Sequence, residues 1–297
     1  MIPSQLSLHT AAKKSVPPVI VIGMHRSGTS MITRMLRRLG LFLGKKCDPH
    51  HESEFFLELN QWLLQQCGGA WDHPKPIDDL INHPMAQTLY TDYLRHMLWT
   101  RGRIRFLGWR EAFRGRNPLN MEKQWGWKDP RNTFTLPLWL DIFPDAKIIH
   151  IYRHGLDVAR SLQKREREQV RTSAKLHERR KWLYWVHPKK NGFLDSPRCL
   201  SLPRGVQLWD TYMERATEHV ESGETHAYAL QYEAFLANPA RMLKEITDFC
   251  NLNVTRASVT ACVENVDESR AFAYRKDTSS NVESEMRPIL QKHDYNL

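Results

Sequence analysis

Val19-Ile20-Val21-Ile22-Gly23-Met24-His25-Arg26-Ser27-Gly28-Thr29-Ser30 decides the fold. Four β-branched apolar residues in a row read as a strand buried on both faces. Gly23 and Gly28 frame a tight turn, and Met31, Ile32, Met35, Leu36 and Leu39 then recur at helical spacing up to Gly40. A strand feeding a small-residue turn and a helix N-terminus builds a phosphate cradle. Backbone N–H groups converge on the anion, and the helix dipole adds positive potential. The spacing is that of G-x-x-x-x-G-K-[ST], but Thr29 stands at the lysine position. That lysine grips the terminal phosphates of a triphosphate, so its absence predicts a nucleotide with no γ-phosphate.

Working outward, Trp125-Gly126-Trp127-Lys128 reads as a second strand that stops at Asp129-Pro130. Lys147 to Tyr152 is a third and Ala227 to Gln231 a fourth. Between them fall helical patterns at Phe55–Leu63, Met85–Trp99, Leu136–Phe143, Gly155–Gln169, Gly205–Val220 and Pro239–Cys250. Alternating strands and helices predict an α/β fold, a central parallel β-sheet flanked by helices in three layers. In such sheets ligands sit at the carboxyl ends of the strands. Three strands carry polar groups there: Arg26 to Ser30, Lys128 to Arg131, and Arg153-His154. Residues 1–18 read as a mobile arm, 19–297 as one domain. Val170–Pro203 reads as an irregular basic and aromatic insertion.

The net charge of +10 is concentrated. Arg153 to Arg204 holds fourteen Lys/Arg against five acids, a net of +9, and the rest is nearly neutral. This suggests a polyanionic ligand, an anionic acceptor or a membrane surface. Five scattered cysteines without C-x-x-C predict reduced thiols and no zinc site. No apolar run approaches a membrane span and the N-terminus lacks an apolar leader core, which predicts a cytoplasmic protein. The oligomeric state stays open, with a homodimer as one option.

The third strand exits into Tyr152-Arg153-His154-Gly155, and Ser161 lies two helical turns on. An arginine fork at a strand tip and a serine on its helix can grip one phosphate from two sides. With the lysine-less loop upstream, and with Tyr232-Glu233-Ala234-Phe235-Leu236 leading to Pro239, Ile246 and Phe249, the chain resembles the sulfotransferases that use 3′-phosphoadenosine 5′-phosphosulfate (PAPS). The G-M-H-R-S-G-T-S form and Trp127-Lys128-Asp129-Pro130-Arg131 make it most similar to the bacterial and carbohydrate-type enzymes. The likeness spans Val19 to Leu252, and implies the P-loop NTPase-like sandwich.

The resemblance implies that Arg26, Ser27, Gly28, Thr29 and Ser30 bind the 5′-phosphosulfate and that Arg153 and Ser161 bind the 3′-phosphate. It implies PAPS as donor, adenosine 3′,5′-bisphosphate (PAP) as product, and no metal. The acceptor is a hydroxyl or amine, most naturally on a saccharide or a small or lipid-linked metabolite. Lys128 would steady the leaving oxygen beside Arg26. For the general base, Glu52 matches a family glutamate ahead of the helix, with Glu54, His50, His51 and Asp129 as alternatives. Trp182 and Trp185 are candidates for acceptor contact. The histidine that serves as base in the cytosolic enzymes has no counterpart, and Arg275-Lys276 is a poor match to their nucleotide-closing R-K-G segment. Two rival readings stand: a kinase-like phosphotransferase with a degenerate loop, and a nucleic-acid or polyanion binder using residues 153–204.

Overall fold

The computed structural model describes residues 15–189, 192–223, 225–276 and 280–295. In chain order the main elements are β1 (Val19–Ile22), α1 (Thr29–Arg38), α2 (Glu54–Gln66), α3 (Pro84–Trp99), β2 (Gly126–Lys128), α4 (Asn132–Ile142), β3 (Lys147–Tyr152), α5 (Gly155–Arg180), α6 (Leu202–Glu221), β4 (His226–Gln231), α7 (Pro239–Phe249), α8 (Arg256–Val263) and α9 (Ser280–Gln291). The four strands form one parallel sheet in the order β2-β1-β3-β4.

Side chains alternate across a strand, and both faces of this sheet are covered. Ile20, Ile22 and Ile148 enter a core with Phe56, Trp127, Trp139 and Trp209 from the α2, α4 and α6 side. Val19, Val21, Ile149 and Ile151 enter a second core with Ile32, Leu36, Leu243 and Ile246 from α1 and α7. This is the three-layer α/β arrangement the strand pattern predicts. Trp125, Trp127, Trp139 and Trp209 are fully buried, and Phe56 stacks on Trp127 at 3.9 Å between ring centroids. Among the described residues no helix is long and apolar enough to cross a membrane.

One polar knot fixes the strand ends that matter. Asn60 of α2 is fully buried, and its Nδ2 donates to Asp129 Oδ2 (2.9 Å) and Asn132 Oδ1 (2.7 Å). Its Oδ1 accepts from Thr135 Oγ1 and Trp139 Nε1, both at 2.9 Å. Asn132 also accepts from Trp127 Nε1 at 2.9 Å and donates to the β1 carbonyl of Val21 at 3.2 Å. The knot ties α2, β1, β2 and α4 together directly behind Lys128.

Two expectations change. Residues 1–14 of the predicted arm lie outside the described residues. Its end is paired: Val16 N donates to Met121 O (2.7 Å) and Val16 O accepts from Trp125 Nε1 (2.9 Å). The insertion expected at Val170–Pro203 is not irregular throughout. α5 continues unbroken to Arg180, and short 3₁₀ turns follow at Lys181–Trp185 and Pro197–Leu200. The apolar stripe of α5 ends early, so periodicity predicts a stop. Arg, Glu, Gln, Lys and Ala favour the helix without it, and Pro188 is the first proline after it starts.

Asn60→Leu should destabilise the protein by about 3 kcal/mol, because Asp129 and Trp139 lose buried partners. Urea unfolding measures this, and a loss below about 1 kcal/mol would show that the knot does not hold the strand ends.

Candidate active site

The β1–α1 turn is shaped by its backbone. Arg26 and Gly28 have φ of 71° and 93°. A Cβ on Gly28 would lie 2.2 Å from the Tyr232 ring, so this position is closed to larger residues by both conformation and space. The first amides of α1 have no intrahelical acceptor and face the turn. Ser27 is fully buried and its Oγ has no partner among the described residues. Thr29, at the position of the triphosphatase lysine, is buried.

The second motif folds onto the first. Arg26 Nε donates to Ser161 Oγ at 2.8 Å, joining residues 135 apart in sequence. Arg153 pairs with Asp157 Oδ2 at 2.9 Å and donates to Arg270 O at 2.7 Å. Its guanidinium lies 4.8 Å from the centroid of the Tyr232 ring, and its buried Nε has no partner among the described residues. Asp157 in turn accepts from the amides of Ala273 and Tyr274 at 3.2 and 2.7 Å, which brings residues 270–274 over the cleft edge.

Lys128, at the tip of β2, meets Glu52. Nζ and Oε1 are 2.6 Å apart, and the side chains are 3% and 7% exposed. Lys128 Nζ also donates to Ser30 Oγ (3.2 Å), so β2 brings to the loop an ammonium that the loop itself lacks. Glu52 is held by its backbone: its N–H donates to Asp48 Oδ1 (2.7 Å), and its carbonyl accepts from Asp48 N (2.9 Å). Burial pushes the Glu52 carboxyl up to about 7, against the pull of Lys128 and with help from Asp129. It is thus poised to exchange a proton near neutrality.

These groups line one cleft of ≈ 690 Å³ at the carboxyl edge of the sheet. It brings together Arg26, Gly28, Thr29, Ser30, Glu52, Lys128, Arg153 and Ser161, while Ser27 lies buried behind the turn. Of the alternative bases, His50 lines the cleft. His51 lines a smaller adjoining hollow with Arg34. Glu54 is not in the lining, and Asp129 is fully buried, accepting from Arg131 N at 2.9 Å and pairing with its guanidinium. Trp182 and Trp185 do not line the cleft.

Sequence reasoning gave no role to His25, Trp71, Arg165 or Arg270, all of which line it. Arg165 stands one helical turn beyond Ser161, and that i, i+4 spacing could have flagged it. Arg270 closes a short 3₁₀ turn, Glu268–Arg270, and no sequence signal marks it. His25 packs edge-on against Trp71 at 4.7 Å; burial first, and then Arg131, Lys128 and Arg165, hold its imidazole well below its ordinary value. Arg26 is lowered by burial and then by Arg165, Arg153 and Arg270. Among the described residues it has no carboxylate partner. Such crowded guanidinium groups fit a polyanion.

This loop, strand-tip arginine and helix serine on a parallel sheet define a P-loop-like group-transfer fold. The Sulfotransferase family model matches residues 17–256, and the chain belongs to that family. The omega-hydroxy-beta-dihydromenaquinone-9 sulfotransferase Stf3 of Mycobacterium tuberculosis (strain CDC 1551 / Oshkosh) is 23% identical over 310 residues, covering 93% of this chain and 73% of that protein. Stf3 of Mycobacterium bovis (strain ATCC BAA-935 / AF2122/97) matches equally. Among solved structures, the sulfotransferase domain of the Synechococcus PCC 7002 olefin synthase superposes with a TM-score of 0.50 at 15% identity, covering 97% of this chain and 98% of that one. The sulfotransferase domain of the curacin biosynthetic pathway gives 0.51 at 17% identity, with 95% and 99% covered. The protein is a sulfotransferase of the bacterial type, which moves a sulfuryl group from a donor to an acceptor, and this reading prevails over the kinase-like and polyanion-binding ones.

The Glu52 shift carries a stability signature. Its folded value of about 7 lies above the ordinary 4.5, so folding takes up a proton between them. The contribution is complete below 4.5 and is lost as pH rises through 7, up to about 3 kcal/mol. Urea unfolding from pH 4.5 to 8 should show this fall in the native protein and not in Glu52→Gln. Parallel profiles would contradict the assignment.

Proposed function

We propose that the cleft binds PAPS and transfers its sulfuryl group to a hydroxyl of a saccharide or other small or lipid-linked acceptor, with Glu52 as general base. The bond between Arg26 and Ser161 carries this reading, because it makes the two anion-gripping motifs walls of one cleft. Unpartnered Ser27 Oγ and Arg153 Nε fit a phosphorylated ligand. The hydroxyl in the name of Stf3 supports an oxygen acceptor.

The residue roles follow from charge. The amides of residues 27–30 and Arg26 hold the phosphosulfate end, and Arg153 with Ser161 holds the 3′-phosphate. In-line sulfuryl transfer is chiefly positioning and neutralisation. Glu52 accepts the proton of the acceptor hydroxyl. That oxygen bonds to sulfur as the sulfur–oxygen bond to the bisphosphate breaks. Lys128 meets the charge that develops on the departing oxygen. Placing both groups in one buried pair has a physical merit: the proton gained by Glu52 weakens its hold on Lys128 as the leaving group needs that cation.

Two variants test the roles. Arg153→Ala should weaken PAP binding by roughly 10- to 150-fold, the loss of a charged hydrogen-bonding partner. Unchanged affinity in a direct titration would remove the 3′-phosphate role. Glu52→Gln should retain PAP binding while transfer from ³⁵S-labelled donor to a panel of saccharide and hydroxylated lipid acceptors falls about 10²- to 10⁴-fold. The native rate should rise with pH through about 7, the value that burial gives Glu52, and this limb should be missing in the variant. A variant with native turnover and native pH profile would place the base elsewhere.

A further inference from the structure

α5 is much longer than its packing requires. Its buried residues end at Glu166, yet it runs on to Arg180, about 21 Å further at 1.5 Å per residue. The chain then turns through Lys181–Trp185 and comes back against the helix. Ser173 Oγ donates to Phe193 O (2.9 Å), and Gln169 Nε2 donates to Asp195 Oδ1 (3.1 Å). His177 packs against both Tyr184 and Phe193 at 5.6 Å. At the base of this projection, buried Glu166 accepts from the amides of Asp195 and Ser196, both at 3.2 Å. It is a self-braced hairpin, and its end displays Trp182 at 71%, Trp185 at 92% and Val186 at 65% exposure.

The charge around these apolar groups is one-sided. Residues 167–189 contain seven Lys/Arg against Glu168 and Glu178, and Glu178 is paired with Lys181. Exposed indoles set among Lys and Arg are the composition of a bilayer-interface anchor: the rings enter the headgroup boundary while the cations remain with anionic phosphates. The same charge opposes self-association through this tip, because two copies would bring like charges together. We propose that the hairpin Arg167–Lys189 docks the enzyme on an anionic lipid bilayer. Leu194 and Asp195, which follow the hairpin where the chain is bonded back to α5, line the cleft that holds Glu52 and Lys128. Docking therefore places the cleft near the membrane surface, and this holds whatever the acceptor is.

Flotation of the full chain with phosphatidylcholine vesicles, with or without phosphatidylglycerol, tests the proposal. Binding is expected only to the anionic vesicles and should weaken as salt rises. Trp182→Ala/Trp185→Ala and Arg179→Glu/Arg180→Glu/Lys181→Glu should each lower partitioning by roughly tenfold or more. Met85→Ala/Leu89→Ala, which removes equally exposed apolar groups on α3, should leave partitioning unchanged. These side chains are exposed, so the variants should keep native circular dichroism and PAP affinity; if one does not, the lipid-charge and salt dependence of the native chain decides. Absence of binding to anionic vesicles at low salt would overturn the proposal, as would equal binding to both vesicle types. Undiminished binding of the tryptophan variant would also do so. A concentration-dependent dimer lost in that variant, or duplex DNA binding, with no vesicle binding would assign the tip to another partner.

Discussion

Parallel pairing of β1 with β2 on one side and β3 on the other holds Val21 level with Lys128 and Ile22 level with His150. Each strand therefore releases its chain at the same edge of the sheet. β1 gives the glycine-framed turn, β2 gives Lys128, and β3 gives Arg153 a single residue past its end. A register slip of one residue would turn Lys128 away from Glu52. The polar knot resists that slip: Asn60 bonds to Asp129 and Asn132 just after the β2 tip, and Asn132 accepts from Trp127 just before it.

The charge on this edge explains what the site requires. Buried or half-buried cations repel one another strongly in a region poor in water, and each must be paired or meet an anion. Arg153 has Asp157, Arg165 has Glu166, and Lys128 has Glu52. Arg26 has a serine hydroxyl instead. The cleft is thus left with positive potential directed at the turn, where the α1 amides add to it. In the Lys128–Glu52 pair, burial opposes charge on the carboxylate while the ammonium favours it, and the balance leaves Glu52 titrating near neutrality.

Much of this was legible in the sequence because it is local. A four-residue apolar run, glycines at fixed offsets, and a strand followed by arginine and then serine are signals contained within one element each. They placed the four strands, the sheet and the glycine-framed turn. The meeting of Glu52 with Lys128 spans 76 residues, and no periodicity encodes it; the family resemblance suggested both residues, and the fold brings them together. Arg270 enters from a segment whose position depends on backbone bonds to Asp157, which the sequence does not display. The long end of α5 was misread for a different reason. Helix-favouring residues and bonds from the returning chain sustain it, without the apolar stripe from which helices are usually recognised.

The most direct test of the central claim is a calorimetric titration of the protein with adenosine 3′,5′-bisphosphate, with and without EDTA, and with 5′-AMP and ATP as controls. Arg26, Ser161 and Arg153 joined in one cleft predict tight binding that is unaffected by the chelator and lost when the 3′-phosphate is absent. Equal binding of 5′-AMP, or a preference for ATP that requires magnesium, would contradict it.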